Sequence, residues 1–505
     1  MNVEFSPETD NGIINKSSTF MLNVISIRKF VMGYIVAKFG GWANASAENV
    51  KLAADLFEKN HDRKIKVNSA IGKVEGLPKV TDLLTEGAEA ALKTGVFPED
   101  ILEKIKLNHY TVFKPLGVPE DVIDNVLNLL EKRLPQKDSL SPDHFRALII
   151  GSGEELFSRL DAYYLKEIRK LKARYVDPHD IGHYLGGHPL DGHILPESYD
   201  NLSRLKDMDG IIVYPGFFAI SNRGEPMIYS RGGTDKTAAD IATAVNATLY
   251  ENWKDVDGIY CADPRIVKEP ELMEKVTYKE IRELSYISFN VLHQEAMLPV
   301  MNAEIPVNIK NLLKPDSKGT LIVHDREHIE NRPVIGIAGL KGICVINIEK
   351  RMMNEEIGFA EKVMALFREN RISIEQIATS IDTIAVLTKE SDFKEKSIHF
   401  GISESVRKEI DFDEFAEYLK NQLKADKVKI SRNRSLMCVV GQGMRKSVGT
   451  LGRIATSLSN AGINIEIVDQ GPSERNVIVC FKDEEDYSKS KKAVEVLYEE
   501  FFRNN

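Results

Sequence analysis

Ser230-Arg231-Gly232-Gly233-Thr234-Asp235, then Glu251-Asn252-Trp253-Lys254-Asp255-Val256-Asp257-Gly258, then Ala262-Asp263-Pro264-Arg265 form the stretch on which the reading of this chain turns. Adjacent glycines let a backbone approach a phosphate closely. An arginine beside them can hold a carboxylate through two parallel hydrogen bonds, and an acid can order cations. Together these residue types point to phosphoryl transfer onto a small acid.

Working outward, apolar strand-like runs alternate with amphipathic helical stretches across residues 33–325. That is the α/β pattern of a central, mainly parallel sheet covered by helices on both faces. Tyr34-Ile35-Val36, Arg146 to Gly151 and Gly210 to Pro215 read as strands. Ala47 to Asn60, Gly153 to Leu171 and Thr237 to Asn246 read as helices, the last beginning just after Asp235. Pro315 to Thr320 reads as a turn before one more strand. Past residue 330 one plan occurs twice. Gly358 to Leu387 and Gly449 to Val479 each give a glycine, an amphipathic helix, a polar turn and two β-branched strands.

The whole chain bounds the possibilities. Its 505 residues suggest about three domains, with 43% hydrophobic and 28% charged residues, as in ordinary globular protein. A net charge of -9 argues against a nucleic-acid partner, because neutralising a phosphate backbone needs clustered Lys and Arg. Cys261, Cys344, Cys438 and Cys480 lack paired short spacings, which suggests neither a zinc ribbon nor a disulfide framework. The scattered cysteines favour a reducing cytoplasm, and no run reaches the length of a membrane span, so no membrane partner is expected. The segment Phe20 to Val36 carries Arg28 and Lys29 behind an acidic leader and makes a poor signal peptide. Met32 directly precedes the first strand. Residues 1–32 are therefore expected to be an extension, either foreign to the natural protein or loosely ordered.

Several blocks, in fixed order, resemble the aspartate kinases of the amino-acid kinase superfamily. They are Lys38-Phe39-Gly40-Gly41, Ser69-Ala70, Val80-Thr81-Asp82-Leu83-Leu84, Gly153-Glu154, the Arg231 and Trp253 blocks, and Val291-Leu292-His293. The wording Glu-Asn-Trp and Glu-Leu-Ser-Tyr is similar to the clostridial monofunctional subgroup. The two repeats resemble ACT domains, which are ferredoxin-like βαββαβ modules that bind amino acids. The resemblance implies an amino-acid kinase domain over 33–325, a first ACT domain over 330–432 and a second over 433–505. It implies an ATP- and Mg-dependent kinase for L-aspartate, with lysine, threonine or both as effector, and a homodimer or dimer of dimers formed through the ACT domains. With no dinucleotide fingerprint following Asn505, a monofunctional enzyme is expected.

The same resemblance assigns roles residue by residue. Lys38 is the candidate cation on the transferring phosphoryl, Asp235 orders that lysine or magnesium, and no metal site formed by protein ligands alone is expected. Gly40, Gly41, Gly232, Gly233 and Thr234 would offer groups to phosphate oxygens. Trp253, Lys254, Asp255, Tyr260 and Arg265 form the nucleotide block. Thr81, Glu154 and Arg231 form the aspartate pocket, with Glu154 on the ammonium group and Arg231 on the α-carboxylate. Asn354, Ile357, Gly358, Phe359, Thr379, Ser380 and Asp382 are the positions expected near an effector. Without the family, Glu154 would read as a first-turn acid at a helix start, a role that Glu155 fits instead.

Departures from the pattern matter too. Trp42-Ala43 stands where the family usually has a small hydroxyl pair, Lys254 replaces a threonine, and Asn290 stands where many members carry a second nucleotide-binding lysine. Lys236 and Lys254 flank the site and are candidate replacement cations, although such lysines are ordinarily exposed. Two alternatives therefore stay open: a catalytically weak amino-acid sensor, and a kinase for a different amino-acid carboxylate. His179, His183, His188 and His193 lie in a stretch rich in Gly and Pro, which breaks the helical face a metal would need and reads as a solvated loop.

Overall fold

The structure is a computed structural model that describes residues 33–230, 232–287, 294–326, 332–394, 396–400, 403–407, 409–471, 473 and 475–503. The strands of the first part are β1 (Ile35–Phe39), β2 (Arg63–Asn68), β3 (Ala173–Tyr175), β4 (Leu185–His188), β5 (Asp191–Ile194) and β6 (Ile211–Pro215). They continue with β7 (Phe218–Ile220), β8 (Pro226–Ile228), β9 (Leu249–Lys254), β10 (Lys275–Thr277), β11 (Val307–Asn311) and β12 (Thr320–Val323). Eight of them form one sheet in the order β10-β12-β11-β9-β1-β2-β6-β3. Every pairing in it is parallel except that of β11 with β12. All five residues of β1 are buried, as a strand covered on both faces requires. β4 with β5 and β7 with β8 are separate hairpins.

Arg146 to Gly151 is helical, not a strand. It lies inside the helix Pro142–Tyr163, which starts at Ser141, whose hydroxyl accepts from the His144 amide, with Pro142 in the first turn. This helix is buried on most of its circumference, so its apolar run shows no helical stripe and imitates a buried strand. Gly153 is therefore mid-helix, and Glu155 is no first-turn acid. Glu155 is buried and pairs with Arg133 and Arg159. The expected helix at Thr237 begins at Gly233, which places Asp235 in its first turn.

Between β2 and the Pro142–Tyr163 helix lies a fully buried ion pair, Lys66 Nζ to Asp161 Oδ2 at 2.6 Å, to which Asn68 Nδ2 donates at 2.9 Å. Burial lowers the Lys66 pKa while Asp161 pulls it back up. Lys66→Met alone should cost about 3–5 kcal/mol, because Asp161 would stay buried without its counter-charge. Adding Asp161→Leu should recover most of the loss in urea unfolding.

The second sheet holds β13 (Gly336–Glu349), β14 (Gln376–Thr379), β15 (Thr383–Lys389), β18 (Lys427–Val440), β19 (Ile465–Asp469) and β20 (Asn476–Lys482) in the order β14-β15-β13-β18-β20-β19. A hairpin of β16 (Lys396–Phe400) and β17 (Ser403–Arg407) stands apart. The two repeats are not strictly tandem. Gly336 to Leu340 pair with Leu436 to Val440, whereas Ile343 to Glu349 pair with Lys427 to Arg434 and with β15. The first half of β13 thus supplies the fourth strand of the second unit, and the first unit is inserted into it. A boundary at 432/433 falls within β18. In the charged run after Lys389 the short helix Glu390–Phe393 buries Glu390, Asp392 and Phe393.

Candidate active site

Residues on one strand face different sides by alternation. On β9, Glu251 and Trp253 face the helix Ala47–Lys59, where Trp253 packs with Ala37, Phe39, Ala43, Ala53 and Phe57. Tyr250, Asn252 and Lys254 face the other side. Lys38 is the register partner of Asn252 and shares that face. There Lys38 Nζ lies 2.9 Å from Asp235 Oδ1, to which Asn252 Nδ2 also donates at 2.8 Å. Burial pushes the Asp235 carboxyl up, but Lys38, Lys254 and the hydrogen bonds outweigh it and hold the pKa at about 2. Lys254 is not an exposed lysine. Burial lowers its pKa, Asp235 raises it, Lys38 lowers it again and Asp255 raises it, so both ammonium groups feel the charge of the Asp235 carboxylate. Lys236 donates to Ser230 Oγ at 2.7 Å.

The same alternation corrects Trp253. Its indole is fully buried, stacked on Phe39, and donates to Glu251 Oε2 at 3.0 Å, so its side chain backs the strand and does not reach a nucleotide. Asp255 is exposed on the loop leaving β9. Tyr260 is tied to Asp257, and Arg265 to Asp263 at 2.7 Å.

The loops at the carboxyl ends of β1, β2 and β6 are joined to one another, as expected where an α/β sheet holds its ligand. The Ser69 amide donates to Phe39 O at 3.0 Å, Gly72 to Gly41 O at 2.9 Å, and Gly216 to Asn68 O at 2.9 Å. Asn44 Nδ2 donates to Ser69 O at 2.7 Å. Gly41 and Gly72 pass so closely that a Cβ on Gly72 would lie 2.5 Å from Gly41 C. Ser69 Oγ reaches Thr234 Oγ1 at 2.9 Å, linking this loop to the helix Gly233–Ala244, whose cap Gly232 has φ 74°. Ala43 is buried in the core, while Trp42 is 37% exposed. Position 43 thus places a methyl group in the core.

Glu154 completes the site from the neighbouring helix. A Cβ on Gly153 would sit 2.9 Å from Ala70 Cβ, so glycine is what lets the helix approach the loop after β2. Glu154 is 4% exposed and its Oε2 has no hydrogen-bond partner among the described residues. Burial pushes its pKa up to about 8 against hydrogen bonds from the Ala70 and Glu154 backbones. Thr81 lies in the first turn of the helix Val80–Thr94, which the Val80 amide ties to Ile71 O at 3.2 Å. Arg231, Asn290 and Val291-Leu292-His293 lie outside the described residues. Asn252 and Gly72 were not foreseen. The alternation of β9 would have indicated Asn252, but nothing in the sequence marks Gly72.

Residues 33–311 match the amino acid kinase family, and residues 437–501 match an ACT domain. Over 468 residues the chain is 36% identical to Aspartokinase 3 of Bacillus subtilis, covering 92% of this chain and 98% of that protein. The chain belongs to the aspartokinase family. Its aspartokinase fold superposes on the crystal structure of Clostridium acetobutylicum aspartate kinase with a TM-score of 0.76 and 32% identity, covering 93% of this chain and 100% of that one. E. coli aspartokinase III in complex with aspartate and ADP shares the fold, with a TM-score of 0.69 at 22% identity, covering 93% and 100%. Among the described residues, no helix is long and apolar enough to cross a membrane.

The effector positions expected in the first ACT unit form one neighbourhood. Lys350 N donates to Asp382 O at 2.8 Å and Met352 N to Asp382 Oδ1 at 2.9 Å, which brings the Thr379–Asp382 turn against the segment leading to Asn354. Ser380 N closes that turn on Thr383 O at 2.8 Å. Ile357 is 99% exposed, and Gly358, with φ 81°, caps the helix Phe359–Glu369. The Phe359 side chain is 3% exposed and belongs to the core of the unit, which takes it out of the expected lining.

Proposed function

We propose that this protein transfers the γ-phosphoryl group of ATP to the side-chain carboxylate of L-aspartate, giving 4-phospho-L-aspartate and ADP. A carboxylate oxygen attacks the γ-phosphorus as the bond to the β,γ-bridging oxygen breaks. Both partners are anionic, so positioning and cationic neutralisation supply most of the catalysis. Lys38 carries the charge on the transferring group, and Asp235 and Asn252 fix its ammonium in place. Lys254 is the second cation and offsets the missing hydroxyl pair and the asparagine at position 290. Gly40, Gly41, Gly232, Gly233 and Thr234 supply phosphate contacts, helped by the amino end of the Gly233–Ala244 helix. Asp235, held ionised, would be the residue to hold magnesium brought in with ATP, and that ion would supply further charge neutralisation on the phosphates.

The observation that carries this reading is Glu154 Oε2, on a buried carboxyl group with no counter-charge among the described residues, beside the loop after β2. The ammonium group of an amino acid supplies that charge, and Arg231 takes its α-carboxylate. Lysine, alone or with threonine, binds at Asn354, Ile357, Gly358 and the Thr379–Asp382 turn, and chains pair through the ACT sheet. Incubation with Mg-ATP, L-aspartate and hydroxylamine should yield aspartyl hydroxamate in proportion to ADP. ADP release with another amino acid alone would establish the kinase of a different acid, and nucleotide binding without turnover would establish a sensor.

A further inference from the structure

His183 is fully buried, which overturns its reading as part of a solvated loop. Its Nδ1 lies 3.0 Å from the Tyr214 hydroxyl and its Nε2 lies 2.8 Å from that of Tyr229, so both ring nitrogens are satisfied inside the protein. The polar groups buried between β2 and the Pro142–Tyr163 helix are not. Glu154, Ser158 and Asp161 on the helix, and Lys66 and Asn68 on β2, are all buried. Among the described residues, Glu154 Oε2, Ser158 Oγ and Asn68 Oδ1 have no hydrogen-bond partner. Each such atom costs free energy until something pairs with it.

These atoms share one seam. Lys66 and Asn68 alternate onto the face of β2 that meets the helix. The Ala70 backbone, just past that strand, holds the Glu154 carboxyl, while Lys66 and Asn68 hold Asp161 two turns further along the helix. The helix therefore runs back along β2. Ser158 follows Glu154 by four residues and precedes Asp161 by three, which puts it on the same face, between the two anchors. Asn68 Nδ2 donates to Asp161 Oδ2 at 2.9 Å, and the reverse amide would set oxygen against a carboxylate, so Oδ1 is the atom left over. Lys66 Nζ reaches both Asp161 oxygens, at 2.7 and 2.6 Å, which closes the seam at that end.

An amide oxygen only accepts, a serine hydroxyl can donate, and an ionised carboxylate accepts. A water molecule joins such a set. It donates to Asn68 Oδ1 and Glu154 Oε2 and accepts from Ser158, the roughly three hydrogen bonds that buried water makes. The Lys66 ammonium, on the same carboxylate as Asn68, disfavours a metal cation there. We propose that Ser158 and Asn68 hold a buried water against the inner side of Glu154 and are positioning residues for it, aiming Oε2 at the ammonium group of the substrate. A carboxylate oxygen offers two lone pairs, so water and ammonium can share it. The proposal rests on the assignment of Glu154 to that ammonium. By donating to Oε2 the water favours the ionised carboxylate, the form that binds substrate, against the burial that pushes its pKa up to about 8. The charged groups on the elements around it do not enter that shift. Glu155 pairs with Arg133 and Arg159, Lys66 with Asp161, and Glu89 on the helix Val80–Thr94 with Arg146, while Asp82 and Glu86 on that helix are exposed.

The KM for L-aspartate, followed on the full chain from about pH 6 to about pH 9.5, tests the proposal. Ser158→Ala removes a single hydroxyl and should raise the KM about fivefold at pH 7, with kcat and the KM for ATP within about twofold. The gap should close toward the alkaline end, because the pH at which the KM levels off moves up by about 0.7 unit. Asn68→Leu should move the profile the same way, and the two changes together should add little, since either one releases the same water. Ser158→Ala added to Glu154→Gln should leave the KM of that variant unchanged at every pH. Additive shifts would show two independent contacts and overturn the shared water. A KM raised by one factor at every pH would show a general loss of packing and overturn it too. If Glu154→Gln raises the KM while Ser158→Ala keeps the parental profile, the water falls and the assignment of Glu154 stands. A parental KM in Glu154→Gln overturns both. Should Asn68→Leu not fold, Ser158→Ala decides alone.

Discussion

Replacing Lys38 by methionine is expected to lower kcat by about 10³-fold or more while leaving the KM for L-aspartate within a few-fold. Methionine keeps the length of the side chain in a position that is 6% exposed, so packing changes little. What disappears is the ammonium group that meets the phosphoryl charge, an interaction that strengthens only as the transition state forms. The variant should still fold, because Asp235 keeps Lys254 and Asn252 as partners. Lys254→Met should lose less, about tenfold, since it removes the second cation and leaves the first in place. Hydroxamate formation and ADP release measured together would check both variants. A Lys38→Met enzyme with the parental rate would remove Lys38 from the chemistry, and a larger loss at Lys254 would exchange the two roles.

How far the sequence foretold this arrangement depended on whether the deciding contact was local. The strand end at Lys38-Phe39 and the helix start at Gly232-Gly233 were legible because strand ends, glycine turns and helix starts are short-range features. The fate of Lys254 was also encoded, since it alternates with Asn252 and shares a face with Lys38, but a lysine next to an Asp-Gly turn reads as a surface residue until the sheet is assembled. Trp253 erred the other way, because position in a nucleotide block says nothing about which face of β9 its ring takes. Arg146 to Gly151 failed for a different reason. A helix buried on nearly every side loses the periodicity that distinguishes it from a strand, and only Ser141-Pro142 marked its start. The insertion of one ACT unit into the other rests on the pairing of Gly336 with Val440, more than a hundred residues away, which no local pattern reports. His183 was misread because burial of a loop depends on tyrosines from other elements.

Glu154→Gln should weaken aspartate binding and strengthen the fold at the same time. With its pKa raised from 4.5 to about 8, the carboxyl of the free protein keeps its proton where the unfolded chain has already lost it. The native state then binds more protons than the unfolded state between these values, so stability falls as pH rises through the window and levels off above it. At pH 7 the penalty is on the order of 3 kcal/mol. Glutamine carries no ionisable proton, so the variant should unfold at higher temperature than the parent at pH 8 and at nearly the same temperature at pH 4. The substrate reverses the balance. Its ammonium group favours the ionised form, so the KM of the parent should fall as pH rises toward about 8, whereas that of the variant should be flat and about 10–150-fold higher at the top of the range. Added L-aspartate should accordingly raise the melting temperature of the parent and barely move that of the variant. A variant that melts with the parent at every pH and keeps its aspartate KM would show that this carboxylate is paired inside the protein and does not receive the substrate.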